Sequence, residues 1–385
     1  MKKALVIGGS NGIGLGVCAA LCRRGFEVTI FDKEAPRQEL LPAPCAYEAC
    51  DLRFLSEEQF APWAEDPALE LLFISAGFGR VADFEDHHPA EIRAMMEVNA
   101  SAPLRLLRVF YPRLLGQERF YCGIMGSIAG LLSSPMAAVY AASKAAVCRF
   151  AESVNVELEE KGSPNRILNV SPGSFRGSRF YGGENEPSLL EGLAEQITES
   201  LFAGQTLLIP DYEKTYRGVL ERYQADPHGF GLSSYAYKQA SGRAQGGKKV
   251  VIGYLSGTFD LFHVGHLNLL RRARAQCDYL IVGVHRSGAW KGKETFIPFE
   301  DRMAVVGGCR WVDKVVPSCA EDSDAWALWH FDRLFVGSDY QGTERFQRYE
   351  AFFRDKGVKI VYFPYTQSTS STMIRNQIRN SQQKE

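Results

Sequence analysis

The strongest constraint in this chain is an alternation that runs, stops and starts again. Short apolar runs at residues 4–7, 27–31, 71–74 and 120–125 are separated by longer helical patterns. That spacing marks βαβ units, in which helices cover both faces of a parallel sheet. From Ser241 to Lys249 the sequence turns small and polar, Ser-Gly-Arg-Ala-Gln-Gly-Gly-Lys-Lys, as a linker does. A fresh apolar run at 250–255 opens a second alternation, with a helix over 264–276, a strand at 279–284, a helix over 299–307 and strands near 334–336 and 359–363. The halves share no sequence repeat. The reading is two α/β domains, residues 1–243 and 250–385, joined by a linker at 244–249. A length of 385 residues suits that division, at roughly 100–200 residues per domain. Residues 182–237 read as mostly helical and either cover the first domain's site or pack between domains.

Composition excludes several classes of partner. Lys+Arg (44) balances Asp+Glu (45), so no overall field recruits nucleic acid or an anionic membrane, and an anionic ligand has to be gripped locally. The start, Met1-Lys2-Lys3-Ala4-Leu5-Val6-Ile7-Gly8, runs into glycines too soon for a signal peptide and reads as the first strand. No apolar run approaches the roughly 18 residues of a membrane span. Nine cysteines without a CxxC pair suit reduced thiols, which points to the cytoplasm.

Directly after the first strand comes Gly8-Gly9-Ser10-Asn11-Gly12-Ile13-Gly14, opening an apolar helix. Glycines there let backbone N–H groups and a helix N-terminus approach a pyrophosphate. Asp32 closes the second strand, placed to accept hydrogen bonds from an adenosine ribose and to repel a 2′-phosphate. That favours NAD(H) over NADP(H), although Lys33 beside it is suited to meeting the phosphate. Further on stands Tyr140-Ala-Ala-Ser-Lys144, with Ser127 thirteen residues before the tyrosine. A tyrosine with a pKa of about 10 exchanges protons poorly at neutral pH unless a cation lowers it, and Lys144, one helical turn on, supplies that cation.

With Ser75-Ala76-Gly77 after a strand, Asn99 in Val98-Asn99-Ala100, and Pro172-Gly173, this set resembles the short-chain dehydrogenase/reductase family over about residues 1–240. The resemblance implies a Rossmann doubly wound parallel sheet and an NAD(P)H-dependent carbonyl reduction. In it Tyr140 gives a proton to the carbonyl oxygen, Ser127 holds that oxygen, Lys144 also meets the nicotinamide ribose, and Asn99 serves a water-mediated proton relay. Gly8, Ser10, Asn11, Gly12, Ile13, Gly14, Asp32, Asp51, Leu52, Ala76, Gly77, Pro172 and Gly173 are the implied cofactor-binding residues. The chain departs from the family pattern at Ile7, at Ile74-Ser75 and at Gly177-Ser178. Arg176 and Arg179 fall in the implied substrate loop, where guanidinium forks either clamp a phosphate or face solvent.

The second domain centres on Gly257-Thr258-Phe259-Asp260-Leu261-Phe262-His263-Val264-Gly265-His266, between a strand and a helix. Two histidines three residues apart share one helical face beside the helix's positive end, placed to stabilise charge on a phosphate as it is transferred. With Arg310-Trp311-Val312-Asp313 and Ser370-Ser371-Thr372, this stretch resembles the glycerol-3-phosphate cytidylyltransferase group of the HxGH nucleotidyltransferases over about residues 250–380. The resemblance implies a smaller Rossmann-like nucleotidyltransferase α/β domain using CTP with Mg²⁺, whose protein ligands are unknown. His263, His266, Lys293 and Arg310 form its catalytic set. Gly257, Thr258, Phe259, Lys291, Lys293, Arg302, Asp339, Ser370, Ser371 and Thr372 join the histidines around the nucleotide. Tyr365 and Met373 stand where the group carries arginine and lysine.

Together the halves imply reduction of a ketose phosphate to an alditol phosphate, then its coupling to CTP, giving a CDP-alditol and pyrophosphate for bacterial capsular or teichoic-acid-like polymers. The alternatives are a reductase domain acting on an unrelated ketone, or one serving as a cofactor-sensing or dimerisation module. Family habit implies a homodimer or tetramer, and no nucleic-acid or membrane partner is expected.

Overall fold

Strand residues of alternating direction account for the first sheet. In β1 (Lys3–Ile7), Leu5 and Ile7 face one way, with Phe31, Leu72 and Ile74, while Ala4 and Val6 face the other, with Val28, Ile30, Leu71 and Phe73. Both sets are buried, so the sheet needs a helical layer on each side. The computed structural model describes residues 2–177, 186–242, 250–288, 295–364 and 374. It divides into two compact units, Met1–Lys248 and Lys249–Glu385.

In the first unit, α1 (Gly12–Arg23) follows β1, and β2 (Glu27–Asp32), β3 (Ala46–Ala49), α2 (Ala61–Glu65), β4 (Leu69–Ile74), α3 (Pro89–Met96) and α4 (Ala102–Leu115) come next. Then follow β5 (Tyr121–Met125), α5 (Ala138–Glu160), β6 (Ile167–Val170), α6 (Glu191–Phe202), β7 (Leu207–Leu208), α7 (Arg217–Ala225) and α8 (Pro227–Ala240). The strands pair in parallel in the order β3-β2-β1-β4-β5-β6-β7. Leu106, Leu107 and Phe110 of α4 and Val147 and Ala151 of α5 cover one face; Val17 and Leu21 of α1 and Ala194, Ile197 and Leu201 of α6 cover the other. Each such side chain contributes about 1.5–3 kcal/mol when fully buried.

The second unit runs β8 (Ile252–Gly257), α9 (Val264–Ala275), β9 (Tyr279–Val284), α10 (Phe299–Gly307), β10 (Lys314–Pro317), α11 (Asp322–Trp329), β11 (Arg333–Gly337), α12 (Glu344–Arg354) and β12 (Lys359–Phe363). Its parallel sheet has the order β10-β9-β8-β11-β12. Tyr254 and Leu255, neighbours on β8, belong to the cores on opposite faces.

In each sheet the strand order reverses beside its first strand, between β1 and β4 and between β8 and β11. Ligands of open parallel sheets bind at such a switch point, beyond the carboxyl ends of the strands. Gly8 and Ser75 lie at the first, and Gly257 and Ser338 at the second. Both units are α/β with parallel sheets, as the alternation led us to expect. Four short strands, β3, β6, β7 and β10, were not among the runs read from the hydrophobic pattern, and β7 interrupts the stretch read as mostly helical. No helix among the described residues is long and apolar enough to cross a membrane.

Candidate active sites

At the first switch point the Gly8 backbone has φ +84, and a Cβ there would stand 2.4 Å from the Ala76 backbone nitrogen. A Cβ on Gly14 would lie 2.2 Å from the Gly8 carbonyl oxygen. Neither position accepts a side chain, so backbone alone lines the entry to α1, and the Asn11 side chain makes no cap bond there. Asp32 braces the loop: its carboxylate accepts from the Ser10 amide at 3.1 Å and the Ser10 hydroxyl at 2.5 Å, and from the Lys33 amide at 2.7 Å. A carboxylate has about four acceptor sites, so capacity for a ribose hydroxyl remains.

Asp51 is committed to Arg53, accepting from its amide at 3.0 Å and from Nη2 at 2.6 Å. The Leu52 side chain lies in the core, so it has only backbone to offer a ligand. Ile13 packs partly buried against the opposite core.

The residues expected to react come from three elements. One turn of π-helix, Glu97–Ser101, precedes α4 and carries Asn99; such insertions often mark functional sites. Asn99 is 1% exposed, and its amide donates to the Phe78 carbonyl at 2.7 Å and the Ser143 hydroxyl at 3.0 Å, while its oxygen accepts from the Phe78 amide at 2.9 Å. Ser127 caps a short 3₁₀ turn, accepting from the Ala129 amide at 3.2 Å. That turn sits hard on α5, because a Cβ on Gly130 would be 2.6 Å from the Lys144 carbonyl carbon. Tyr140 and Lys144 lie on the buried stripe of α5 with Val147, Ala151 and Leu158. A Cβ on Gly77 would lie 3.2 Å from both the Asn99 Oδ1 and the Lys144 Nζ, so these residues meet at one point. Lys144 donates to the Met125 carbonyl at 2.8 Å, and its ammonium lies 5.9 Å from the Tyr140 ring centre.

Burial pushes the Lys144 ammonium down to about 8. Lys144 is therefore charged below that pH, where it would ease proton release from Tyr140 if that residue is the proton donor, and neutral above it. We expect kcat/KM for carbonyl reduction to fall as pH rises through about 8; Lys144→Arg, which keeps its charge, should carry that limb to higher pH. A profile that rises across this range contradicts the assignment. Because the folded value lies below the ordinary 10.5, protonated Lys144 opposes folding below about 8, and stability should climb between the two values as pH rises. Thermal melts of the wild type and of Lys144→Met test that sign.

In the second unit the loop after β8 is bent sharply: Phe259 has φ +53 and Leu261 φ +49. Left-handed backbone at non-glycine residues costs about 1–3 kcal/mol each and persists only where surroundings enforce it. Asp260, 2% exposed, accepts from the Phe296 amide at 3.1 Å and the Ile297 amide at 3.0 Å. Arg302, 1% exposed, donates to the carbonyls of Thr258 at 2.5 Å, His285 at 2.8 Å, Arg286 at 2.9 Å and Ile297 at 3.0 Å.

His263 caps α9 by accepting the Gly265 amide on Nδ1 at 3.0 Å, which leaves the proton of the neutral ring on Nε2. His266 stacks on it with ring centres 4.0 Å apart, between Phe259 at 5.2 Å and Phe262 at 5.5 Å. Its Nδ1 is buried without a hydrogen-bond partner. Burial first, and then His263, hold His266 down to about 3, opposed by Asp260.

Residues 2–186 match the short chain dehydrogenase family and residues 254–377 the cytidylyltransferase-like family. A glycerol-3-phosphate cytidylyltransferase of Staphylococcus aureus (strain NCTC 8325 / PS 47) is 33% identical over 134 residues, 34% of this chain and 95% of that protein. Through its second unit the chain belongs to the cytidylyltransferase-like family. The enzyme of that name from Bacillus subtilis (strain 168) is likewise 33% identical, over 97% of its length. A short chain dehydrogenase of Pseudocercospora fijiensis (strain CIRAD86) is 30% identical over 45% of this chain, which spans 59% of that relative.

In the dehydrogenase unit, Pro172 lends its carbonyl to the Ile128 amide at 3.0 Å, and Gly173 lies under the Tyr216 hydroxyl, which occupies the space a Cβ would need. Arg176 is exposed, while Ser178 and Arg179 lie outside the described residues. In the cytidylyltransferase-like unit, Gly257 lies under the Phe259 ring and the Thr258 hydroxyl lies 3.4 Å from the His285 Nδ1. Asp339 is exposed just beyond β11, at the switch point, and Arg310 is exposed over the Trp311 ring at 5.0 Å. Arg302, expected at the nucleotide, has its donors turned into the protein, where they brace the loops at Thr258, His285, Arg286 and Ile297. Arg302→Met should destabilise this unit by about 3 kcal/mol or more by stranding four carbonyls. A urea transition for the unit that stays in place contradicts that role. Lys291, Lys293, Tyr365, Ser370, Ser371, Thr372 and Met373 lie outside the described residues.

The sequence reading missed Ser143, which holds Asn99 and donates to the Tyr140 carbonyl at 2.7 Å. Its place between Tyr140 and Lys144 was the available signal. It also missed Asp260, whose position inside the ten-residue loop motif was the clue.

Proposed function

We propose that this chain carries out two consecutive steps. A ketose phosphate, NAD(P)H and a proton give an alditol phosphate and NAD(P)⁺. The alditol phosphate and CTP then give a CDP-alditol and pyrophosphate. The observation that carries this reading is a histidine-paired unit that matches a glycerol-3-phosphate cytidylyltransferase over 95% of its length, in one chain with a dehydrogenase unit holding Ser127, Tyr140 and Lys144. A ketose phosphate is one reduction away from the polyol phosphate that such a unit accepts.

The residues at the first switch point fit a dinucleotide, since Gly8 and Gly14 let the loop close tightly over the start of α1 and the Asp32 carboxylate retains acceptor capacity. Gly8, Ser10 to Gly14, Ala76 and Gly77 would hold it, and Asp32 favours NAD(H). Nicotinamide supplies the hydride when bound. Ser127 holds the carbonyl oxygen, Tyr140 transfers its phenolic proton to that oxygen, and Lys144 compensates the phenolate left behind. Asn99, fixed on Phe78 and Ser143, keeps the turn beside Lys144 in place.

In the second step an alditol phosphate oxygen attacks the α-phosphorus of CTP, and the bond to the bridging oxygen of the leaving pyrophosphate breaks. His263 directs an Nε2 proton outward, and the pair offers donors where charge gathers in the transition state. Mg²⁺ would accompany the triphosphate on phosphate oxygens and water. The product suits capsular or teichoic-acid-like polymer synthesis.

Pyrophosphate release from CTP, measured against glycerol, erythritol, ribitol, arabinitol, xylitol, mannitol and glucitol phosphates, tests the acceptor class. One dominant alditol phosphate is expected. No reaction with any member overturns the reading.

A further inference from the structure

Helices α7 and α8 lie beyond the part of the chain that matches the dehydrogenase family. They are nevertheless tied to the loops around Tyr140. The Tyr235 hydroxyl meets Asp83 at 3.0 Å, and Lys238 donates to the Ser134 hydroxyl at 2.6 Å and the Pro135 carbonyl at 2.7 Å, just ahead of α5. Between these helices and Ser174 lies a cavity of about 930 Å³. Cavities for small ligands measure about 300–1,000 Å³, so this one is larger than a bare ketone requires.

The cavity starts close to the reacting groups. Ser174 is two residues from Pro172, roughly 7 Å of extended chain, and the Pro172 carbonyl lies 3.5 Å from the Ser127 hydroxyl. Among the described residues its walls carry the hydroxyl-bearing Ser174, Tyr216, Ser233, Ser234 and Tyr237, together with one guanidinium, that of Arg222. No carboxylate among the described residues pairs with Arg222. The acid on the same wall, Asp226, is spent capping α8 through the Gly229 amide at 2.9 Å. Arg176, read in the sequence as either a phosphate clamp or a solvent-facing residue, is exposed and is not among the residues that line this cavity.

We propose that this cavity is the distal subsite of the reductase reaction. Arg222 takes the terminal phosphate of a phosphorylated polyhydroxy ketone, and Ser174 and Ser234 meet its chain hydroxyls, with the carbonyl held at Ser127 and Tyr140. The inference rests on the reading that the dehydrogenase unit reduces a ketose phosphate. A charge-assisted fork from arginine to phosphate selects the phosphorylated substrate over its dephosphorylated counterpart.

The test compares the full-length wild type with Arg222→Gln and Arg222→Lys, using the ketose phosphate the wild type reduces best, the same ketose without phosphate, and inorganic phosphate as inhibitor. Loss of the guanidinium in Arg222→Gln should lower kcat/KM for the phosphorylated ketose about 10- to 100-fold, erode its preference over the free ketose and relieve inhibition by inorganic phosphate. Arg222→Lys should recover part of that preference. If the wild type reduces ketose phosphates and Arg222→Gln keeps the same preference and the same inhibition, the subsite is wrong while the function stands. A wild type that reduces free ketones and no ketose phosphate overturns the substrate reading and this subsite with it.

Discussion

Tyr140→Phe is expected to lower kcat for carbonyl reduction by about a thousandfold or more, because a positioned general acid contributes about 10²–10⁴ and Tyr140 is the phenol that lies beside the Lys144 ammonium. The substitution removes one oxygen from a side chain that is 9% exposed and belongs to a small core cluster with Met95, Ala137 and Val139, so the fold should persist. CTP turnover should stay at the wild-type level, since the second unit has its own sheet and cores. NAD(P)H oxidation by the wild type together with its loss in Tyr140→Phe also separates a working reductase from a cofactor-sensing module. Retention of even a tenth of the wild-type rate would remove Tyr140 from the acid role.

The mirror experiment is His266→Asn. Removing one preorganised donor from a site of developing charge costs about 10²–10³ in kcat. His266 is also a packing residue, stacked on His263 and flanked by Phe259 and Phe262, so a thermal melt has to accompany the assay. With the melting temperature kept, CTP turnover should collapse while NAD(P)H oxidation continues. A variant with near-normal pyrophosphate release would show that His266 only fills space.

The sequence revealed those parts of the molecule whose signals are local. The strands of β1, β2, β4 and β5 are apolar enough to be seen, and the glycine loop and the Tyr140–Lys144 spacing each occupy one turn. Short strands were hidden for a physical reason: β10 is four residues that end in proline, and β7 is two residues long. Long-range satisfaction of polar groups was hidden too. Arg302 looked like a free cation because nothing in its neighbours announces that carbonyls of Thr258, His285 and Arg286 converge on it. The side-chain contacts of Asn99 with Phe78 and Ser143, residues 21 and 44 positions away, could not be read from its neighbours either. Cysteines that are scattered singly along the chain include Cys22 and Cys45, whose sulfurs lie 3.4 Å apart. Only the fold brings such groups together.

The two families on one chain make sense chemically if the product of one unit is the substrate of the other. The most direct measurement is a single incubation of the full-length chain with a panel of isotope-labelled ketose phosphates, NADH or NADPH, and CTP, read by mass spectrometry. The account predicts a labelled CDP-alditol that appears only when reduced nicotinamide and CTP are both present, and an alditol phosphate that accumulates when CTP is left out. Formation of an alditol phosphate that the second unit does not couple to CTP, or labelled CDP-sugar without any reduction, would contradict it.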